Sequence, residues 1–173
     1  MNNENEMGLN YDLLAIIQMI KNDSGHNPGK KQLQKLIYLV QAKGVDLGYE
    51  YGIHFYGPFS EDLSRDLMSL CVFGEVDFTN VNNTHEIVPS ITPVEMSLNE
   101  DDIKVVKNII YDYRSKTPYD LELLTTTHFI AENLGGTKSD ILTGVKKIKG
   151  DKYRDSSIIE AIDLVRNEFI HTH

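Results

Sequence analysis

The side chains with the widest chemical reach in this chain are six histidines and a single cysteine. His26, His54, His85, His128, His171 and His173 are scattered, and only His128, with Glu132 four residues on, has a spacing that sets two metal-ligating types on one helix face. Two such groups make no zinc site without further ligands, so His128 is expected to be a partly buried hydrogen-bonding group on a helix interface. His171 and His173 are expected to lie in a frayed end. Cys71 excludes an internal disulfide and a thiolate-rich zinc site, and its helical spacing with Leu63, Leu67 and Leu70 predicts a buried apolar thiol rather than a nucleophile. The chain holds no Walker A loop, G-x-G-x-x-G, H-E-x-x-H or G-x-S-x-G motif, which leaves the common sequence-local routes to phosphate binding, zinc hydrolysis and serine acyl transfer unsupported. The sequence therefore predicts no catalytic residue, no metal and no cofactor. An enzyme would need a site assembled from distant residues.

Charge supplies a second constraint. The net charge is −9, with residues 1–28 contributing −3, residues 29–44 +4, residues 45–103 −11 and residues 104–173 +1. From Asp66 to Asp102 there is no Lys or Arg. Such a surface repels a phosphate backbone and attracts a basic protein. Residues 1–8 are polar and acidic with no apolar run, so they read as a flexible tail rather than a signal peptide, and no stretch approaches a membrane span. A cytoplasmic location is expected.

The elements that must position these groups follow from periodicity. Leu13, Ile16, Ile17 and Ile20 line a first helix that Asn10 could cap. Leu33, Leu36, Ile37 and Val40, widened by Tyr38 and Leu39, predict a central, well-covered second helix ended by Gly44. Tyr49 to Tyr56 reads as extended, Gly57-Pro58 as a turn, and Ser60 as the cap of a third helix facing inward through Leu63, Leu67 and Leu70. Val76, Phe78, an Asn82-Asn83 turn and His85 to Ile91 predict a two-stranded ribbon. Helix, helix, helix, ribbon is the winged-helix order. Further helices are expected after Asn99, from Thr117-Pro118, around Ile141, Val145 and Ile148, and from Ser157 with Glu160. The predicted fold is mainly α with a small β-ribbon, an α+β class. Residues 9–94 form a winged-helix-like lobe, and residues 95–170 a helical lobe packed on it to give one compact unit.

Two surfaces compete for function. Tyr49, Tyr51, Phe55, Tyr56 and Phe59 are more aromatics than a short turn can bury, and exposed Tyr is a favoured interface anchor. Tyr51, Phe55, Tyr56, Gly57, Pro58 and Phe59 thus form a candidate contact surface for a protein partner, with Glu61, Asp62 and Asp66 steering a basic one. Equally, Tyr56-Gly57-Pro58 can be read as a turn and nothing more. Lys30, Lys31, Lys35 and Lys43 form the alternative, a nucleic-acid surface for a winged-helix transcriptional regulator. Against it stand the acidic third helix and the ribbon acids Glu75, Asp77 and Glu86.

Residues 30–44, KKQLQKLIYLVQAKG, then HFYGPFSEDLSRDL and LELLTTTHF, occur in the order and spacing of the Panacea antitoxin domain family and its YwgA-like relatives. The resemblance rests on Lys35, Leu36, Tyr38, Tyr56, Gly57, Pro58, Leu63 and His128 and spans about residues 30 to 130. It implies a non-enzymatic protein that binds a toxin or other protein directly, or an adaptor that hands a bound toxin to a protease. The absence of Trp, and Phe-Ser-Glu-Asp after Gly-Pro, are closer to the YwgA-like branch.

Overall fold

Most helices of this protein begin where the sequence supplies a short polar side chain to receive their first free N–H groups. The computed structural model describes residues 8–170; the expected tail, apart from Gly8, and His171 and His173 fall outside them. In chain order the elements are α1 (Tyr11–Ser24), α2 (Lys30–Ala42), β1 (Gly52–His54), β2 (Gly57–Phe59), α3 (Glu61–Val72), β3 (Val76–Val81), β4 (Thr84–Pro89), α4 (Glu100–Tyr113), α5 (Pro118–Leu134), α6 (Lys138–Lys149) and α7 (Asp155–Glu168). Asn10, Ser60, Asn99, Thr117 and Thr137 each accept a hydrogen bond from a first-turn amide of the helix that follows. The last helix departs from expectation. It opens at Asp155 behind Arg154, which makes no side-chain cap, and Ser157 already lies within its first turn.

The class is α+β, as read from the sequence, but with two antiparallel two-stranded ribbons instead of one. In the second ribbon Val76 pairs with Pro89 and Val81 with Thr84, leaving Asn82 and Asn83 as a two-residue turn. Both asparagines have positive φ, 49° and 62°, the geometry of the hairpin turn whose twist matches its strands. The first ribbon was expected only as an extended segment ending in a Gly57-Pro58 turn. Instead Gly57 and Pro58 are strand residues, paired with His54 and Ile53, and the turn is Phe55-Tyr56. Pro58 is tolerated there because a two-stranded ribbon has only edge strands.

The chain divides into two units. The first comprises Met1–Glu50 and Ser60–Ser115, the second Tyr51–Phe59 and Lys116–His173. Sequence pattern put a boundary after residue 94, but α4 packs on α1 and α2 and so belongs to the first unit.

In the first unit, every residue from Leu33 to Val40 is buried, which makes α2 the central helix that its apolar width predicts. Two of its polar residues clamp neighbouring backbone. Gln34 donates to the Ser60 carbonyl (2.9 Å) and accepts from the Ser60 N–H (3.0 Å). One heptad on, Gln41 does the same for Tyr49, at 2.9 and 3.0 Å. Each amide thereby imitates a strand neighbour for a segment with no sheet partner. The Pro28 carbonyl also accepts from Ile87 (2.8 Å), and Gly29 bridges Glu86, so the α1–α2 connection adds one bridge to the second ribbon. Cys71 is half-buried, not enclosed as its spacing suggested.

The second unit packs β2, α6 and α7 against α5, in which residues 121–128 are all buried. Thr125 and Thr127 bond back to the Leu121 and Leu123 carbonyls, both at 2.7 Å, which lets hydroxyls enter this interior. Ile141 and Val145 of α6 face inward, whereas Ile148 is exposed.

Gln34→Leu preserves volume but strips both partners from the buried Ser60 peptide groups. Urea denaturation is expected to show a loss of about 2–4 kcal/mol in unfolding free energy; a loss under about 1 kcal/mol would mean that the clamp carries little stability.

Candidate partner-binding surface

A hairpin with a two-residue turn must present the turn side chains outward, and here they are Phe55 and Tyr56. Their rings meet edge to face at 4.9 Å and 87°, yet Phe55 is 81% and Tyr56 47% exposed. Behind the turn Gly57 adopts φ 91°, and a Cβ added to it would lie 2.9 Å from Thr126 Oγ1 and 3.4 Å from Glu122 Cγ. Only glycine satisfies both that torsion and that approach to α5.

The tip is held from beneath by charge. Glu122 on α5 is buried and receives Lys149 Nζ at 2.6 Å and Lys152 Nζ at 2.8 Å on each carboxylate oxygen. Lys149, itself buried, also donates to the Phe55 carbonyl at 2.7 Å. The backbone of the exposed turn is thus tied to an interior carboxylate through one ammonium. Lys152 sits on the loop between α6 and α7, its Nζ 5.6–5.7 Å from the ring centres of Tyr56, Tyr119 and Tyr153. That loop is pinned in turn, because Tyr119 donates to the Lys152 carbonyl (2.6 Å) and Tyr153 to the Tyr119 carbonyl (3.0 Å).

Burial raises the Glu122 pKa, but the hydrogen bonds and charges of Lys149 and Lys152 more than offset it, so the carboxyl titrates below its ordinary 4.5. Burial, followed by the Glu122 charge, pushes the Tyr153 phenol up, and it stays protonated as a donor. His128, buried on α5 with its ring edge toward Phe169 at 5.6 Å, is pushed down from 6.5 to about 4 by desolvation.

The other residues singled out by sequence divide sharply. Gly57 and Pro58 are buried supports rather than contact surface, while Tyr51 and Phe59 are half-buried, Phe59 beside His54 at 5.0 Å. Glu61, Asp62 and Asp66 lie in the first unit, whereas Tyr51 to Phe59 lie in the second. Glu61 is exposed and Asp62 pairs with Arg65 at 2.5 Å. Asp66 is no free steering charge: Tyr49 donates to it at 2.7 Å and the Asn10 amide at 3.1 Å, which joins α3 to the start of α1. Of the lysines, Lys35 is 3% exposed and therefore removed from any nucleic-acid surface, and Lys30 lies 3.5 Å over the Phe78 ring. Lys31 is exposed and Lys43 half-buried. Sequence reading missed Glu122, Lys149 and Lys152, because their partners lie about thirty positions apart and share no local pattern. Among the described residues, no group of three or more His, Cys, Asp or Glu could hold a metal ion, and no helix is long and apolar enough to cross a membrane.

No family model matches the chain. Over 60 residues it is 38% identical to the uncharacterized protein YwgA of Bacillus subtilis, a match covering 35% of this chain and 36% of that protein. The chain is thus similar to YwgA over about a third of either length, and the Panacea resemblance rests on its motif residues. Lys35, Leu36, Tyr38, Gly57, Pro58, Leu63 and His128 are all buried, so within that motif only Tyr56 reaches the surface. Interior positions of this kind specify a fold more than a partner.

Glu122→Ala leaves Lys149 buried without its counter-charge, and chemical denaturation is expected to show a loss of about 3–5 kcal/mol. For His128 the neutral form is favoured on folding, so its stabilisation is present above 6.5 and fades as pH falls toward about 4, a loss of about 3 kcal/mol. The Glu122 contribution fades further down, as pH drops through its depressed pKa. His128→Gln is expected to flatten the stability profile between pH 6.5 and 4 relative to the parent; parallel profiles would assign the acid sensitivity elsewhere.

Proposed function

We propose that this protein is a cytoplasmic, non-enzymatic regulator that acts by gripping another polypeptide, with the Phe55–Tyr56 hairpin tip as its anchor. The observation that carries this reading is an exposed aromatic pair on a backbone fixed from below. Aromatic anchors supply large contact area, and an anchor already held in place loses little conformational freedom on binding. Lys149, tied to both the Phe55 carbonyl and Glu122, supplies that fixation.

Acidic residues supply steering. The first unit's sequence carries seventeen Asp and Glu against nine Lys and Arg, a balance that favours a basic partner and raises its encounter rate. Exposed Glu61 and half-buried Asp62 belong to that charge, while Asp66 acts within the structure. The motif resemblance to Panacea domains points the same way, toward direct binding of a toxin or another basic protein, whereas the similarity to YwgA names no partner. A winged-helix character of the first unit, supported by its helix order and the bridge from Gly29 to the ribbon, would serve here as a protein-binding scaffold.

The test is co-purification of the tagged chain from its native host, followed by binding measurements with whichever protein is recovered. Phe55→Ala with Tyr56→Ala is expected to weaken that complex at least about tenfold without changing the melting temperature, since both side chains are exposed. Undiminished binding by the doubly substituted chain would remove the hairpin tip as the anchor.

A further inference from the structure

Helix α3 buries Leu63, Leu67 and Leu70 and turns a second strip to solvent. Along that strip Glu61, Arg65, Met68 and Val72 follow at spacings of three or four residues, the period of one helix face. Its last turn is apolar: Met68 is 52% exposed and Val72 73%, and Phe73, the residue that ends the helix, is 48% exposed. A β-branched valine gains nothing from a solvated helix position, where Lys, Glu or Ala would favour the helix more. Scattered exposed apolar residues are ordinary, but a group of three at one helix end with a polar rim marks an interaction surface.

The charges that flank this group in sequence are mostly acidic. Glu61 and Asp62 open the helix, half-buried Glu75, which accepts from Ser90 Oγ at 3.1 Å, and exposed Asp77 follow its end, and Arg65, the helix's one base, pairs with Asp62 at 2.5 Å. No Lys or Arg occurs from Asp66 to Asp102. We propose that the Met68–Val72–Phe73 face of α3 is a docking site for an amphipathic segment of a partner protein, one that sets apolar side chains on this patch and Lys or Arg side chains against its acidic borders. Charge complementarity selects this occupant over a nucleic acid, which the acidic rim repels, and over a second copy of the chain, whose identical face would oppose acid to acid. The site rests on the reading of a polypeptide partner but not on the hairpin tip, which lies in the other unit.

The full chain, isotopically labelled, can be titrated with three synthetic peptides: an amphipathic Leu/Lys helix, its Leu/Glu counterpart, and a Lys/Ser peptide without an apolar face. The expected result is a shift of the Met68, Val72 and Phe73 amide signals with the Leu/Lys peptide alone, with affinity falling as salt rises. Met68→Ser with Val72→Ser is expected to weaken that binding at least about tenfold at unchanged melting temperature, and Phe55→Ala to leave it intact. Equal binding of the Leu/Glu peptide would reduce the patch to general apolar adhesion and overturn the proposal. Signals shifting only at Phe55 and Tyr56, or at no residue of α3, would overturn it too while leaving the hairpin reading standing. Concentration-dependent dimers that Met68→Ser abolishes would assign the face to self-association instead.

Discussion

A single buried carboxylate, Glu122, ties together the hairpin tip and the α6–α7 loop of the second unit. Removing it from water is costly, and two lysines offset that cost only if both ammonium groups arrive at hydrogen-bonding distance. Lys149 comes from the end of α6 and Lys152 from the loop beyond it, so satisfying one oxygen pair fixes the course of the chain across that turn. Because Lys149 also reaches the Phe55 carbonyl, the same demand extends to the hairpin. A buried ion cluster of this kind is a weak source of net stability but a strict one of position, since few alternative arrangements satisfy all its partners.

The first unit uses uncharged amides to the same end. Gln34 and Gln41 project from one face of α2 and meet the peptide groups of Ser60 and Tyr49, the residues at which the chain re-enters and prepares to leave that unit. Tyr49 and Ser60 are therefore both fixed by hydrogen bonds to one central helix. Within the second unit the tip is fixed by the Lys149 ammonium, so the backbone that carries the aromatic pair is held in place.

Features with a local cause were legible in the sequence. The capping residues Asn10, Ser60, Asn99 and Thr117 each stand within three positions of the amide they receive, and Asn82-Asn83 carries its turn geometry in its own backbone preferences. Features decided by distant partners were not. Gly57-Pro58 looked like a turn because both residues are common in turns, but the close approach of Thr126 is what demands the glycine, and the register moves the turn to Phe55-Tyr56. Lys35 looked solvated because it lies among lysines, yet it is interior, and Asp66 looked like surface charge although Tyr49 and Asn10 hold it. The Glu122 cluster had no signature at all, since an acid in a run of leucines and threonines gives no hint of two bases about thirty positions later.

The threading of the chain has a consequence for its birth on the ribosome. Residues 51–59 leave the ribosome ahead of α3, but α5, against which they pack, is not complete until Leu134. At typical elongation rates of about 5–20 residues per second, some seventy-five further residues take roughly 4–15 s to add. For that interval the nascent ribbon has neither its helical floor nor the ammonium of Lys149, while Gln34 and Gln41 have already been synthesised. Those glutamines can engage Tyr49 and Ser60 once α4, complete at Tyr113, has closed on α2, which still precedes the completion of α5.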